Sequence, residues 1–250
     1  LGYGATRGLQ SYQLNARHDQ DDIFGSKNTA GFAYGYALSD SLKATVSIAT
    51  GFRSPTLEQT YSSYGSRDLK PETSRNRDMG LRYAEGASKM SVVVYRNEFT
   101  NLISARPAPI FTYYNIGEAT IQGATLSASQ TVGRYNVRGS FDVLDAKDGQ
   151  GRDLPLRARH AATTGVDRSV FSWKLGAEVI AMGKRYDNAA NTTSLGGYSL
   201  VNLYATHQIN SDWKLLTRIN NAADKQFQQV ALMATPGRTL FVGLNWQPKN

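Results

Sequence analysis

The chain has 250 residues, 40% hydrophobic, 10% aromatic and 19% charged, with no cysteine, a composition that excludes a disordered tail, a disulfide-stapled mini-domain, thiol catalysis and thiolate metal sites. The formal net charge is +8, but its 28 Lys and Arg residues are spread without a basic cluster, which argues against nucleic acid as a partner. Mean hydropathy is −0.42, and no run approaches the roughly 18 apolar residues of a membrane-spanning helix, whereas a membrane β-strand needs only about 10 alternating residues.

Taken in order, the chain shows period-2 alternation from end to end. Strands are predicted near Tyr12 and Phe32, then over Leu42, Ala44, Val46 and Ile48 set against Lys43, Thr45 and Ser47. Others follow near Met79, Val92 and Leu126, and over Tyr135, Val137, Gly139 and Phe141 against Asn136, Arg138, Ser140 and Asp142. After a strand near Ala162 comes the clearest one, Phe171, Trp173, Leu175, Ala177 and Val179 against Ser172, Lys174, Gly176 and Glu178. Strands near Leu203 and Leu215 and a last one through Leu240, Val242, Leu244 and Trp246 bring the expected number to about twelve, each close to 10 residues long.

The connections alternate between short and long. Short turns are predicted at Ser39–Ser41, Glu85–Ser88, Val132–Arg134, Asp167–Ser169 and Asn210–Asp212. Long polar loops are predicted at Asp19–Lys27, Arg53–Thr73, Thr100–Tyr114, Ala146–Leu156, Lys184–Gly196 and Ala222–Gly237. This segregation is that of an antiparallel transmembrane β-barrel, with short periplasmic turns and long extracellular loops, and it sends Asn250 to the periplasm. The polar face carries Lys, Arg, Asp and Glu, so the lumen is expected to meet water or a polar plug. About twelve strands with loops this large read as part of a bigger closed wall, and Leu1, opening directly into Gly-Tyr-Gly-Ala, reads as a cut terminus.

The segment Gly51-Phe-Arg-Ser-Pro-Thr-Leu-Glu-Gln-Thr-Tyr61, followed by Tyr64-Gly65 and Leu69-Lys-Pro-Glu-Thr-Ser74, resembles TonB-dependent outer-membrane receptors. Tyr95-Arg-Asn-Glu98, Tyr114-Asn-Ile-Gly-Glu-Ala-Thr-Ile-Gln-Gly123, Asn220-Asn-Ala-Ala-Asp-Lys-Gln-Phe227 and Pro236-Gly-Arg238 continue the likeness over essentially the whole chain. Within that superfamily, the spacing of Tyr61, Tyr64, Gly65, Leu69, Pro71 and Glu72, and the segment Leu154-Pro-Leu-Arg-Ala-Arg159, resemble the vitamin B12 (cobalamin) receptors. The resemblance implies that residues 1–250 are the C-terminal half of a twenty-two-stranded barrel in the bacterial outer membrane. It also implies an N-terminal plug and TonB box upstream of Leu1, with any family calcium site lying there as well, and no cofactor in this chain. Two positions depart from the family pattern: Thr125 stands where Glu is usual, and Trp246, the expected signal to the barrel-assembly machinery, is followed by Gln-Pro-Lys-Asn.

The function implied is energised import, with cobalamin as ligand, TonB as partner through the plug, and lipopolysaccharide as surroundings. A ferric siderophore receptor of the same fold and a passive porin or adhesin barrel are the alternatives. By the resemblance, Arg157 and Tyr186 contact the ligand, the first through guanidinium hydrogen bonds to amide arms, the second through an amphipathic ring. Tyr61, Tyr64, Tyr113 and Tyr114 either line the outer vestibule or anchor the barrel rim. Asp19, Asp21 and Asp22, and Asp148 and Asp153 beside Gly149 and Gly151, match no complete calcium loop and read as turn chemistry. His18, His160 and His207 lack metal-pair spacing, and Ser127 or Ser129 with His160 can be imagined as a hydrolytic pair but nothing in the sequence places them together, so no enzyme is expected.

Overall fold

The computed structural model describes residues 1–106 and 111–248. Thirteen strands form one antiparallel sheet in which every strand pairs with its neighbour along the chain. They are β1 (Gly2–Arg7), β2 (Gln10–Asp21), β3 (Gly25–Ala37), β4 (Leu42–Arg53), β5 (Glu72–Glu85), β6 (Ser88–Arg106), β7 (Thr112–Val132), β8 (Tyr135–Asp148), β9 (His160–Val170) and β10 (Trp173–Met182). A two-stranded ribbon, β11 (Arg185–Tyr186) and β12 (Ser194–Leu195), precedes β13 (Tyr198–Gln208), β14 (Trp213–Asn220) and β15 (Thr239–Trp246). A single helical turn, α1 (Leu57–Tyr61), lies between β4 and β5.

The all-β, up-and-down reading holds, with corrections. β1 adds a thirteenth strand to the twelve expected, joined to β2 by a turn at Gly8. Nine of the thirteen strands exceed 10 residues, reaching 19 in β6 and 21 in β7, while β1, β14 and β15 are shorter. As a result the Thr100–Tyr114 loop is instead a hairpin paired up to Arg106 and Thr112, and the Asp19–Lys27 loop is a hairpin paired to Asp21 and Gly25. The turn expected at Asp167–Ser169 falls at Phe171 and Ser172, because β9 continues to Val170. Phe171 is therefore a turn residue with φ 53 and 99% exposure, not the first inward or outward position of β10.

The register separates two faces. Leu42, Val46, Met79, Leu81, Val92, Val94, Leu126, Phe141, Leu175, Val179, Leu203, Leu240 and Leu244 share one face, and most are exposed because that face meets lipid rather than protein. Aromatic side chains close its short-turn end: Tyr12 against Tyr34 at 5.2 Å, Trp173 stacked on His207 at 4.4 Å, and Trp213 beside Trp246 at 6.2 Å. Amphipathic rings of this kind suit the membrane–water interface.

The opposite face is polar. Asp167, only 3% exposed, receives Asn136 at 2.9 Å, Arg138 at 2.9 Å, the Lys174 ammonium at 3.2 Å and the Tyr204 hydroxyl at 3.3 Å. The Tyr204 ring lies against Gly176, directly opposite it in the register, where any Cβ would strike the ring. Above it, Glu178 accepts from Arg218 at 2.7 Å and Asn202 at 3.2 Å. These bonds bind β8, β9, β10, β13 and β14 into a preset polar wall. The small apolar core, Ala119, Ala146 and Leu154, sits near the long-loop end, where the loop after β8 folds back on the wall.

Candidate ligand-binding site at the long-loop end

Two groups of loops carry the candidate residues. The first is built on β4 to β7. Arg53 donates two bonds of 2.7 Å to Glu72, and Glu72, 8% exposed, also accepts the Ile103 backbone N–H at 2.6 Å. Asn115 accepts from Lys70 N at 2.8 Å and donates to Lys70 O at 2.9 Å and Asn101 O at 2.7 Å. Both ends of the loop over residues 54–71 are thus clamped. Within it, Thr56 caps α1 by accepting from Gln59 N at 3.2 Å while Gln59 Oε1 accepts from Thr56 N at 3.0 Å, a reciprocal capping box. Gly65 then passes so close to the Thr60 backbone that a Cβ would come within 2.8 Å of it.

On this support stand Tyr61 and Tyr64, both exposed. Arg67 lies over the Tyr61 ring at 5.3 Å, Tyr64 meets Phe111 edge-on at 5.9 Å, and Arg106 lies over Tyr114 at 5.1 Å. Tyr113 N–H donates to Tyr64 O at 3.1 Å and its hydroxyl to Glu58 at 3.3 Å. The four tyrosines therefore belong to one rim patch with Arg67, Arg106 and Phe111, three residues that the sequence did not single out.

The second group interlocks three loops. Asn191, at φ 57, accepts from Asp153 N and donates to Asp153 O, both at 2.8 Å. Leu156 N donates to Tyr186 O at 2.7 Å. Asp187 accepts from Ala231 N at 2.9 Å, and Arg185, 6% exposed, donates to Gln228 O at 2.7 Å and Gln229 O at 3.1 Å. Arg157 is exposed beside Leu156, and Lys184 lies 5.8 Å over the Tyr186 ring. The structure therefore seats Arg157 and Tyr186 on two loops that are hydrogen-bonded to each other. Tyr61 and Tyr64 belong to the other group. A cleft of about 380 Å³ runs between them, lined by Tyr114, Glu118, Arg152, Pro155 and Ala189.

The acidic clusters are engaged locally. Asp21 accepts from Ile23 N at 2.8 Å and Phe24 N at 2.9 Å, and Asp19 pairs with Arg17. Asp148 closes its own turn through Gln150 N and Arg152 N, both at 2.9 Å. Asp153 binds Lys147 at 3.0 Å and Arg159 at 3.1 Å. The imagined hydrolytic pair is separated: the register puts Ser127 and Ser129 on the polar face and His160, stacked on Phe141, on the lipid side.

Partial burial would raise the Asp153 carboxyl, but the hydrogen bonds and charges of Lys147 and Arg159 outweigh it and hold the group below the ordinary carboxylate range. A carboxylate depressed on folding contributes its stabilisation at neutral pH and loses it as pH falls through the folded value, below about 4. Proteolysis of the residue 149–159 loop is accordingly expected to be unchanged from pH 7 to 5 and to rise only under more acid conditions. Asp153→Asn is expected to show the acid-like cleavage already at pH 7; an indifferent variant would remove the carboxylate from this role.

Residues 9–222 match the family model described as "TonB dependent receptor-like, beta-barrel". The chain belongs to the TonB-dependent receptor family. Such receptors are outer-membrane proteins, which fixes the lipid-facing band in that membrane. This receptor chain is 32% identical over 224 residues to the vitamin B12 transporter BtuB of Photobacterium profundum, covering 86% of this chain and 37% of that protein. To BtuB of Vibrio vulnificus it is 28% identical over 236 residues, covering 89% and 37%. It thus spans little more than a third of the curated relatives' length. Among solved structures, the ferric enterobactin receptor PfeA of Pseudomonas aeruginosa matches with TM-score 0.79 at 18% identity, over 96% of this chain and 43% of that one. The copper transporter OprC matches with TM-score 0.80 at 18% identity, over 98% and 47%. At these identities the likeness is one of fold.

Proposed function

We propose that this chain is the C-terminal wall of an importer whose ligand is cobalamin, captured at the long-loop end and passed along the polar face to the periplasm. The observation that carries the reading is that Arg157 and Tyr186 sit on loops bonded to each other through Leu156 N and Tyr186 O. A multi-donor guanidinium and an amphipathic ring on adjoining loops suit a large, flat ligand with an amide periphery. Relatives named as vitamin B12 transporters support the same ligand. The edges β1 and β15 are not paired to each other in the sheet, and in hydrocarbon such edges need partners, so strands outside these residues are proposed to close the barrel. The plug and TonB would supply the moving part and the energy. Trp246, on the lipid face of β15, would serve the assembly machinery.

A ferric siderophore is the second reading. It is favoured by the cation-backed rings of Tyr61 and Tyr114, which fit an anionic aromatic chelate. Equilibrium binding of cyanocobalamin to the detergent-purified receptor separates the two. Cyanocobalamin is expected to bind, and Arg157→Ala to weaken it about tenfold, the loss of about one charged hydrogen bond. No cyanocobalamin binding, with retention of a ferric catecholate that depends on Arg67 and Arg106, would transfer the assignment to siderophores. A passive porin would carry solute without TonB.

A further inference from the structure

On the lipid-facing side of β5 to β8, the apolar rows stop abruptly. Met79, Val94, Ala124 and Val143 align across the four strands, and the next register row outward is Arg77, Arg96, Gln122 and Asp145. The row beyond that is Arg75, Glu98, Thr120 and Lys147. Alternation fixes the face: along β6 the outward series reads Met90, Val92, Val94, Arg96, Glu98.

Arg77 and Arg96 stand directly opposite each other, a like-charge pairing that weakens a sheet unless something neutralises it. Among the described residues Glu98 is the one carboxylate paired with them, accepting from Arg77 at 3.0 Å and from Arg96 at 3.1 Å, and Arg96 spends a further donor on Gln122 at 3.1 Å. Arg75, diagonal to them and exposed, has no ion pair or side-chain hydrogen bond among the described residues. Two guanidiniums thus share one carboxylate, and a third stands beside them without an ion pair among the described residues, on a surface that faces outward, not into the lumen. The patch begins one register row beyond the hydrocarbon-contacting side chains, on the long-loop side, at the level of the outer-leaflet headgroups.

We infer that Arg75, Arg77 and Arg96 form a binding site for the phosphate of a phosphorylated glycolipid of the outer leaflet, whose acyl chains lie on the Met79–Val94 and Leu81–Val92 rows below. Guanidinium forks match phosphate oxygens in geometry and charge. The apolar rows continue without a break beneath them, so one molecule meets both surfaces. The site is separate from the loop groups that carry Arg157 and Tyr186 and does not depend on the ligand proposed for them.

The test is native mass spectrometry of the full receptor in detergent. The probes are hexa-acylated diphosphoryl lipid A, its dephosphorylated form, and phosphatidylglycerol. Wild type is expected to retain the diphosphoryl lipid selectively. Arg75→Gln/Arg77→Gln/Arg96→Gln is expected to reduce retention about tenfold or more, at the usual strength of basic residues near an anionic surface. Arg168→Gln, which removes an outward cation beside Tyr135 at the opposite end of the band, is expected to leave it unchanged. Undiminished retention by the triple variant overturns the site. Equal retention of the dephosphorylated lipid also overturns it, because the apolar rows alone would then hold the molecule. Equal retention of phosphatidylglycerol overturns the choice of glycolipid over any anionic lipid. Heat-modifiable migration reports folding, and if the triple variant fails that check, Arg75→Gln, which breaks no internal bond, decides: a measurable loss supports the site and none rejects it.

Discussion

Asp167→Ala is expected to lower the unfolding free energy of the receptor by about 2–3 kcal/mol, measured by urea unfolding in detergent or lipid vesicles. Asp167 is the sole acceptor shared by four donors from β8, β10 and β13. Removing it leaves Arg138 and Lys174 without the carboxylate they share. A fully buried pair would lose more, but side-chain exposures of 45% for Arg138 and 46% for Lys174 let water recover part of the cost. Tyr204 also loses its anchor, and its ring fills the space over Gly176, so part of the penalty is packing. Asp167→Asn keeps the acceptor oxygen and forfeits the charge, so its effect should be about half. A change under about 0.5 kcal/mol for the alanine variant would mean that the wall is held by backbone ladders alone.

What the sequence made legible was the part of each strand that lies in hydrocarbon. Leu175, Ala177 and Val179 alternate with Lys174, Gly176 and Glu178 because one face meets lipid and the other a polar lumen, and that contrast is a local pattern. The pattern fails where both faces are wet. Along Arg96, Asn97 and Glu98, and through Thr112 to Asn115, the strands continue with polar or amphipathic residues on both sides, so the pattern reads as loop where the structure has a hairpin. β1 was missed for a related reason: Gly2, Gly4 and Thr6 occupy its polar face and give it almost no contrast. The turn at Phe171 was hidden by the opposite error, an aromatic residue that prolongs the alternation by one step although its backbone sits at φ 53.

The candidate site was legible in kind but not in assembly. Arg157, Tyr186, Tyr61 and Tyr64 all sit on long loops, as their positions between strands required. Which loops bind one another rests on contacts such as Arg185 with the carbonyls of Gln228 and Gln229, more than 40 residues away, and no periodicity encodes those. The motifs behind the family resemblance turn out to be mostly loop foundations. Arg53 and Glu72 join two of them, and Asn115 ties a third to Lys70. In the fourth, Asn221 accepts from Lys225 N at 2.8 Å and donates to Lys225 O at 2.9 Å, while Asp224 accepts from Arg238 N at 2.7 Å. Such residues report the fold, while the ligand is read by exposed side chains between them.

That division gives Glu72→Ala a distinct expected outcome: the barrel persists and the residue 54–71 loop is released. The substitution removes both acceptors of Arg53 and strands the Ile103 N–H, which lies at the buried junction of β5 and β6. Losing the partner of a buried donor together with a bidentate pair costs about 2–4 kcal/mol, and here it falls on one corner of the wall rather than on its whole length. Amide exchange at residues 72–75 and 100–104 should quicken by two to three orders of magnitude, and protease should cut near Tyr64 and Gly65. Exchange in β9 and β10, separated from β6 by β7 and β8, should stay as in wild type. Glu72→Gln retains one oxygen for either Arg53 or Ile103 and should fall between. Ligand capture through Tyr61 and Tyr64 should weaken in the same order as the loop is freed, whereas a patch formed by Arg157 and Tyr186 alone would keep its affinity in both variants. Exchange and affinity measured on the same three proteins therefore decide whether one loop group or both hold the ligand.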